Sequence, residues 1–207
     1  MNKKIFDYLD KLFPNPKCEL DYSKDYELLI AIVLSAQTTD KRVNKVTKVL
    51  FKKYPTIKEL SEAPTSDIEN IIREIGTFRK KSIYIHQIAQ KLVNDKLEYI
   101  PNDREYIESL PGVGHKTANV FLTNIYNEDA IAVDTHVARV SKRLGLVKEY
   151  DSVLQIEHKL MKKIPKSRWS RTHHQLVLFG RYKCRAMAPV CSDCQIKEVC
   201  GYKKKTL

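Results

Sequence analysis

Almost everywhere in this 207-residue chain the apolar residues recur at helical spacing, and no stretch alternates convincingly with period two. The core must therefore come from the apolar stripes of packed helices, and an all-α fold is expected. Ile5, Leu9, Leu12 and Phe13 make one stripe, which Pro14 stops; Val43, Val46 and Leu50 make another behind Asp40. Ser66 with Glu69, Asn102 with Glu105, and Ser152 with Gln155 have the spacing of capping boxes, and Gly76 and Gly145 stand where helices would end. At this length the chain can bury one large core or two modest ones that share elements, so one compact unit with room for two lobes is expected.

The first twenty residues set Asp7 and Asp10 among apolar positions, which the apolar segment of a secretory signal would not tolerate. The longest apolar run, Leu28 to Leu34, is seven residues and far too short to span a bilayer. No membrane partner is expected. The reading is a soluble, intracellular protein, cytoplasmic and nucleoid-associated if the source is prokaryotic.

Lys and Arg number 37 against 25 Asp and Glu, giving a net charge of +12 and an isoelectric point near 9.4. That balance favours a polyanionic partner such as nucleic acid. The chain is also rich in Ile, Asn and Tyr beside Lys, a bias that an AT-rich genome produces without selection for charge. The C-terminal Lys203, Lys204 and Lys205 read most simply as a solvated tail.

Residues 110 to 119 read LPGVGHKTAN. A short helix ending near Leu110 and a second one carrying Ala118, Phe121, Leu122 and Ile125 make the Pro-Gly-Val-Gly segment a tight hairpin between helices. Backbone N–H groups at such a helix start bind anions, and Gly112 and Gly114 would let a phosphate oxygen reach them without a Cβ in the way. The plainer reading is a turn that needs glycine only for its dihedrals.

Four of the five cysteines, Cys184, Cys191, Cys194 and Cys200, fall in one short segment with only a single C-x-x-C pair. Disulfides are disfavoured inside cells, and a structural zinc site more often shows two such knuckles held apart. One loop wrapping four thiolates suits a cubane iron–sulfur cluster, with zinc and plain structural thiols as the alternatives. Cys18 reads as a buried small hydrophobe.

LPGVGHKTANV, the downstream AVDTHVARV and the C-x6-C-x2-C-x5-C run together resemble the endonuclease III family, helix-hairpin-helix DNA glycosylases. Agreement extends through ELLIAIVLSAQTTD at 27 to 40, IREIGTFRKKS at 72 to 82 and HHQLVLFGRYKC at 173 to 184. The resemblance implies a two-lobed helical fold: residues 20–128 carry the hairpin, and 1–19 with 129–207 surround a [4Fe-4S] cluster held by Cys184, Cys191, Cys194 and Cys200. Its substrate would be double-stranded DNA with damaged pyrimidines or abasic sites, seated between the lobes and handled by a monomer.

Removing a damaged base means attacking C1′ of the deoxyribose, which is unreachable inside a stacked duplex, so the nucleotide must be flipped out. An amine nucleophile leaves a Schiff base, whose acidified C2′ proton permits β-elimination of the 3′ phosphate. Lys116 is the expected nucleophile, on the first turn behind the hairpin, where the positive end of the helix dipole disfavours a charged ammonium. Asp134 is the expected partner. The helix from Lys116 to about Tyr126 runs roughly 15 Å away, and the connection through 127 to 133 can cover about 23 Å back, which lets Asp134 return to the lysine's end. With Ile131, Ala132 and Val133 before it and Val137, Val140 and Leu144 after it, Asp134 reads as an N-cap that also stabilises oxocarbenium-like charge.

Further contacts follow from the resemblance. Gln37 matches the position that fills the gap left by the extruded base. The opposite-strand wedge falls at Thr77 and Phe78; relatives usually have a bulky apolar residue at the first position, so Phe78 is expected to bear more of the wedging. His115 stands where many relatives have arginine. Between the first two cysteines only Arg185 is basic, with Arg181 and Lys183 available to compensate. His136 is open to either DNA contact or a structural role, and His173 with His174 reads as helix packing. A monofunctional mismatch glycosylase and a noncatalytic DNA-binding protein are the alternatives; Lys116 distinguishes the first, and Asp134 the second.

Overall fold

The structure is a computed structural model that describes residues 3–206, and all regular structure among them is helical. The helices are α1 (Lys3–Leu12), α2 (Asp25–Ser35), α3 (Asp40–Lys53), α4 (Ile57–Glu62), α5 (Thr65–Ile71), α6 (Phe78–Asn94), α7 (Arg104–Glu108), α8 (His115–Ile125), α9 (Thr135–Arg143), α10 (Val153–Lys163) and α11 (Trp169–Tyr182). A 3-10 turn, Lys166–Arg168, precedes the last. They fall into two compact units, one of Glu19–Tyr126 and one of Met1–Cys18 with Asn127–Leu207. Among the described residues no helix is long and apolar enough to cross a membrane.

The first unit is built around α2, whose residues from Tyr26 to Leu34 are all buried. A helix apolar on every side needs neighbours on every side, and α3, α6 and α8 pack against it. Each fully buried Leu or Ile there contributes about 1.5–3 kcal/mol. Truncating Leu29, which is wholly inaccessible, would cost about 2–5 kcal/mol once the cavity is counted. Two short helices, α4 and α5, lie along α6.

In the second unit the apolar faces of α1, α9, α10 and α11 close one core, with Leu9, Val137, Val140, Leu160, Leu176 and Phe179 at its centre. Asp10 on α1 accepts from Arg168, Arg171 and Gln175, which ties the N-terminal helix to the start of α11. Helices α9 and α11 approach closely at Gly180, where a Cβ would come within 2.8 Å of the His136 Cβ. Only glycine allows that crossing.

Several local expectations need correcting. Ser152 and Gln155 form their capping box, and Gly145 follows α9 with φ +68, a left-handed helix end. Asn102 does not cap α7; Asp103 does, accepting from the N–H groups of Glu105 and Tyr106. Ser66 lies inside α5, which starts behind Pro64. At the 76–77 turn the left-handed residue is Thr77, with φ 56, rather than Gly76. Cys18 is half-buried rather than a core residue.

Candidate functional site

The hairpin between α7 and α8 is a turn in which the Val113 N–H donates to the Leu110 carbonyl at 3.1 Å. Pro111 occupies its second position and Gly112, at φ +77, its third. This is the pattern of a type II turn, in which proline presets one dihedral and glycine supplies the positive one. The Tyr84 ring presses on the same glycine, 2.5 Å from where a Cβ would be. Gly114 differs: it is the N-cap of α8 with φ −114 and ψ 179, and nothing lies within 4 Å of its would-be Cβ. The two glycines therefore have separate reasons. The protein's own packing dictates Gly112, whereas the space over Gly114 opens onto the first turn of α8, whose N–H groups have no carbonyl partner within the helix.

Lys116 is the second residue of α8 and is half-buried, and no hydrogen bond or ion pair engages its Nζ among the described residues. His115 precedes it, exposed, with Nε2 3.2 Å from the Asn119 amide and Nδ1 3.5 Å from Glu108.

Gln37 and Thr77 share a cavity with Gly112, walled by Lys80, Lys81 and Tyr84. Both are left-handed, Gln37 with φ 58 and Thr77 with φ 56. Non-glycine residues rarely adopt that conformation, which costs about 1–3 kcal/mol and clusters at functional sites. Phe78 opens α6 beside them with the Arg79 guanidinium over its ring.

In the second unit Asp134 caps α9, its Oδ1 accepting the Val137 N–H at 2.7 Å. Two residues on, burial lowers the pKa of His136, opposed by the Asp134 carboxylate. Arg139 stands 3.1 Å from the His136 Nδ1 and donates to the carbonyls of Gly180 and Cys184. Arg143 continues the row, donating to the carbonyls of Arg185 and Ala186 and lying 3.4 Å from the Cys184 sulfur. Arg181 is half-buried. His174 is pulled down to about 4 by burial, with Arg181 nearby, and its ring meets that of His173 edge-on inside α11, as packing histidines should.

Cys184, Cys191, Cys194 and Cys200 all line one pocket, together with Leu144, Phe179, Pro189 and Val190. Among the described residues no three His, Cys, Asp or Glu side chains form a group for a single metal ion. Burial raises the thiols of Cys184 and Cys194, so thiolates there need a cationic partner. Arg143 supplies one such charge to Cys184, and a bound metal cluster would supply the rest. The donor set, four thiols on an apolar wall, fits such a group. Arg185 is exposed and turned onto the Ala188 carbonyl, leaving Met187 at the loop tip, 86% exposed. Lys205 is not part of a free tail; it lines the same pocket, while Thr206 bonds to the Pro189 carbonyl.

The HhH-GPD superfamily of base excision DNA repair proteins matches residues 30–166. Endonuclease III of Bacillus subtilis is 45% identical, over 96% of this chain and 92% of its own length. The chain belongs to the endonuclease III family. Endonuclease III of Rickettsia conorii is 42% identical over 96% of this chain and 94% of its own. Among solved structures, a trapped covalent intermediate of an endonuclease III with DNA is 47% identical, with a TM-score of 0.90 over 97% of this chain and 96% of that one.

For an endonuclease III family member the sequence reading overlooked four side chains: Lys81 and Tyr84 beside Gln37, and Arg139 and Arg143 behind Asp134. The two arginines stand four apart on α9, one helical face, a spacing visible in the sequence. Nothing local marks Lys81 or Tyr84.

Proposed function

We propose that this protein is a base-excision repair DNA glycosylase with associated abasic-site lyase activity, acting as a monomer on oxidised or ring-saturated pyrimidines. Membership in the endonuclease III family carries the glycosylase and lyase activities and the DNA partner. The observation that carries the mechanism is Lys116 on the first turn of α8, with its Nζ unengaged, in a chain so similar to one trapped covalently on DNA.

In this reading DNA phosphate lies over Gly114 and the N-terminal amides of α8, drawn by their partial positive charge. Gln37 fills the gap left by the extruded nucleotide, and Thr77 with Phe78 separates the opposite strand. The Lys116 amine attacks C1′; the C1′–N bond breaks and its electron pair leaves with the base, which takes up a proton. The nitrogen lone pair then opens the sugar ring: the C1′–O4′ bond breaks, its electrons leave on O4′, which takes up a proton, and the protonated imine that results acidifies the C2′ hydrogen. Loss of that proton expels the 3′ phosphate by β-elimination, with the C–O electrons leaving on phosphate. Asp134 uses Oδ1 to cap α9, while Oδ2 remains to stabilise charge on the sugar and to move protons.

Cys184, Cys191, Cys194 and Cys200 would hold a [4Fe-4S] cluster, which would staple the C-terminal loop. Arg143 holds the first cysteine and the loop after it by their carbonyls.

Borohydride added during reaction with a duplex containing thymine glycol tests the proposal. It should reduce the imine and leave a stable protein–DNA crosslink whose peptide contains Lys116. Base release without a trappable species would point to the monofunctional reading, and no base release from any damaged or mismatched duplex to a DNA-binding module.

A further inference from the structure

Lys81 is only 5% exposed, yet among the described residues no carboxylate pairs with it. Its Nζ donates instead to two backbone carbonyls, Leu34 at 2.9 Å and Ala36 at 2.6 Å. These lie at the C-terminal end of α2, where helix carbonyls lack partners and the dipole is negative. Burial lowers the pKa of this lysine, and removing an ammonium from water without a counter-ion is among the more expensive arrangements a protein can adopt. A plain helix end would be closed by glycine at far lower cost. The residue that follows Ala36 is Gln37, in the left-handed conformation without glycine's freedom.

The same lysine reaches the other loop through its backbone. Its N–H donates to the Thr77 carbonyl at 3.1 Å, closing the first turn of α6 behind the second left-handed residue. The two loops also lie close together: a Cβ on Gly76 would come within 3.9 Å of the Gln37 carbonyl oxygen. Thus one residue holds the turn before Gln37 by its side chain and the turn at Thr77 by its main chain, and both turns border one cavity.

We propose that Lys81 is a positioning residue that fixes the Gln37 turn and the Thr77–Phe78 turn to each other, so that both enter the DNA stack as one preset wedge. The inference rests on the reading above that these turns enter the duplex. Presetting matters because loops that had to order themselves during base extrusion would pay that entropy in the step that exposes C1′. Lys81 touches neither base nor sugar and acts through Gln37 and Thr77.

The test compares Lys81→Met, which keeps the length but no donor, with Lys81→Arg, which keeps the charge and the donors. Two single-turnover rates are measured: base excision from a duplex bearing thymine glycol, and β-elimination at an abasic site in single-stranded DNA, where no stack has to be opened. Fluorescence of 2-aminopurine beside the lesion reports unstacking. Lys81→Met should slow duplex excision and the fluorescence rise together, on the order of tenfold or more, with single-strand cleavage within about twofold; Lys81→Arg should recover much of the loss. Equal losses on both substrates, or none, overturn the proposal. Should Lys81→Met fail to fold, Lys81→Gln, with one donor group left, must lose part of duplex excision selectively, and full duplex activity overturns the idea. Gln37→Ala separates the two readings. If it leaves excision and fluorescence unchanged, the role of Gln37 falls and this inference with it; if it impairs both while Lys81→Met does not, only the role of Lys81 falls.

Discussion

The Tyr84 ring occupies the space that a side chain on Gly112 would need, with its nearest carbon 2.5 Å from the position of a Cβ. Two residues along, the corresponding space over Gly114 is open. A helix-hairpin-helix turn thus uses its glycines for two different purposes, one facing inward and one outward.

Gly112→Ala should destabilise the protein by about 2–4 kcal/mol, the sum of a left-handed alanine and an overpacked contact. Adding Tyr84→Ala should relieve the contact but not the dihedral, so the double mutant should be less impaired than the two single losses added. Thermal melts of the four proteins measure this. Strict additivity would show that Tyr84 is irrelevant to the choice of glycine.

Gly114→Val should behave oppositely. Its φ and ψ suit a β-branched residue, so the stability loss should be about 1 kcal/mol or less, the deficit of valine at an N-cap. Affinity for duplex DNA should fall by on the order of tenfold or more, because a branched side chain would stand over the amides of α8. Equal proportionate losses of stability and binding would mean that no phosphate approaches there.

The purified protein should be yellow-brown and carry roughly four irons per chain. Chelation or Cys194→Ser should remove the colour and loosen the C-terminal loop, seen as faster proteolysis within residues 184–206. A colourless protein with one zinc would overturn the cluster.

Elements set by local chemistry were legible in the sequence. Asp134 precedes an apolar-periodic segment and caps it; Ser152 and Gln155 do likewise. Where two cap formers adjoin, as at Asn102 and Asp103, spacing alone misplaced the helix start by one residue. The site was legible only in part, because helix packing decides the rest. Tyr84 matters through the hairpin laid against α6, and Lys81 through the end of α2, pairings that hydrophobic period does not encode. Gln37 and Thr77 carry no glycine to advertise their left-handed backbones.

Asp10 offers a test by pH. Burial opposes its charge, but hydrogen bonds from Gln175, Arg168 and Arg171 outweigh that and leave the carboxyl below its usual range. Its folded pKa lies under the unfolded value of about 3.9, so its stabilisation is present above about pH 4 and is lost as pH falls through the folded pKa. Asp10→Asn should therefore cost about 1–2 kcal/mol at neutral pH, discounted for partial exposure. The gap from wild type should narrow in melts as pH is taken progressively below about 4, since the wild-type carboxylate is then being protonated toward the neutral state of the amide. A gap that stays constant with pH would assign the loss to packing of α1 instead.

Lys116 and Asp134 lie in different units of the chain, and their substitutions should fail differently. Lys116→Gln keeps similar bulk beside the hairpin but removes the amine, so borohydride trapping and strand cleavage should vanish while binding to damaged duplex persists. Asp134→Asn leaves an amide oxygen to accept the Val137 N–H, so folding and DNA binding should hold nearly constant. The carboxylate charge would be gone, and single-turnover excision should slow by on the order of a hundredfold or more, with the residual reaction still trappable on Lys116. The pair of results is the discriminating observation. Trapping that survives in Lys116→Gln would require another amine as nucleophile. An Asp134→Asn protein as fast as wild type would reduce that residue to a helix cap, with the proton transfers left to water.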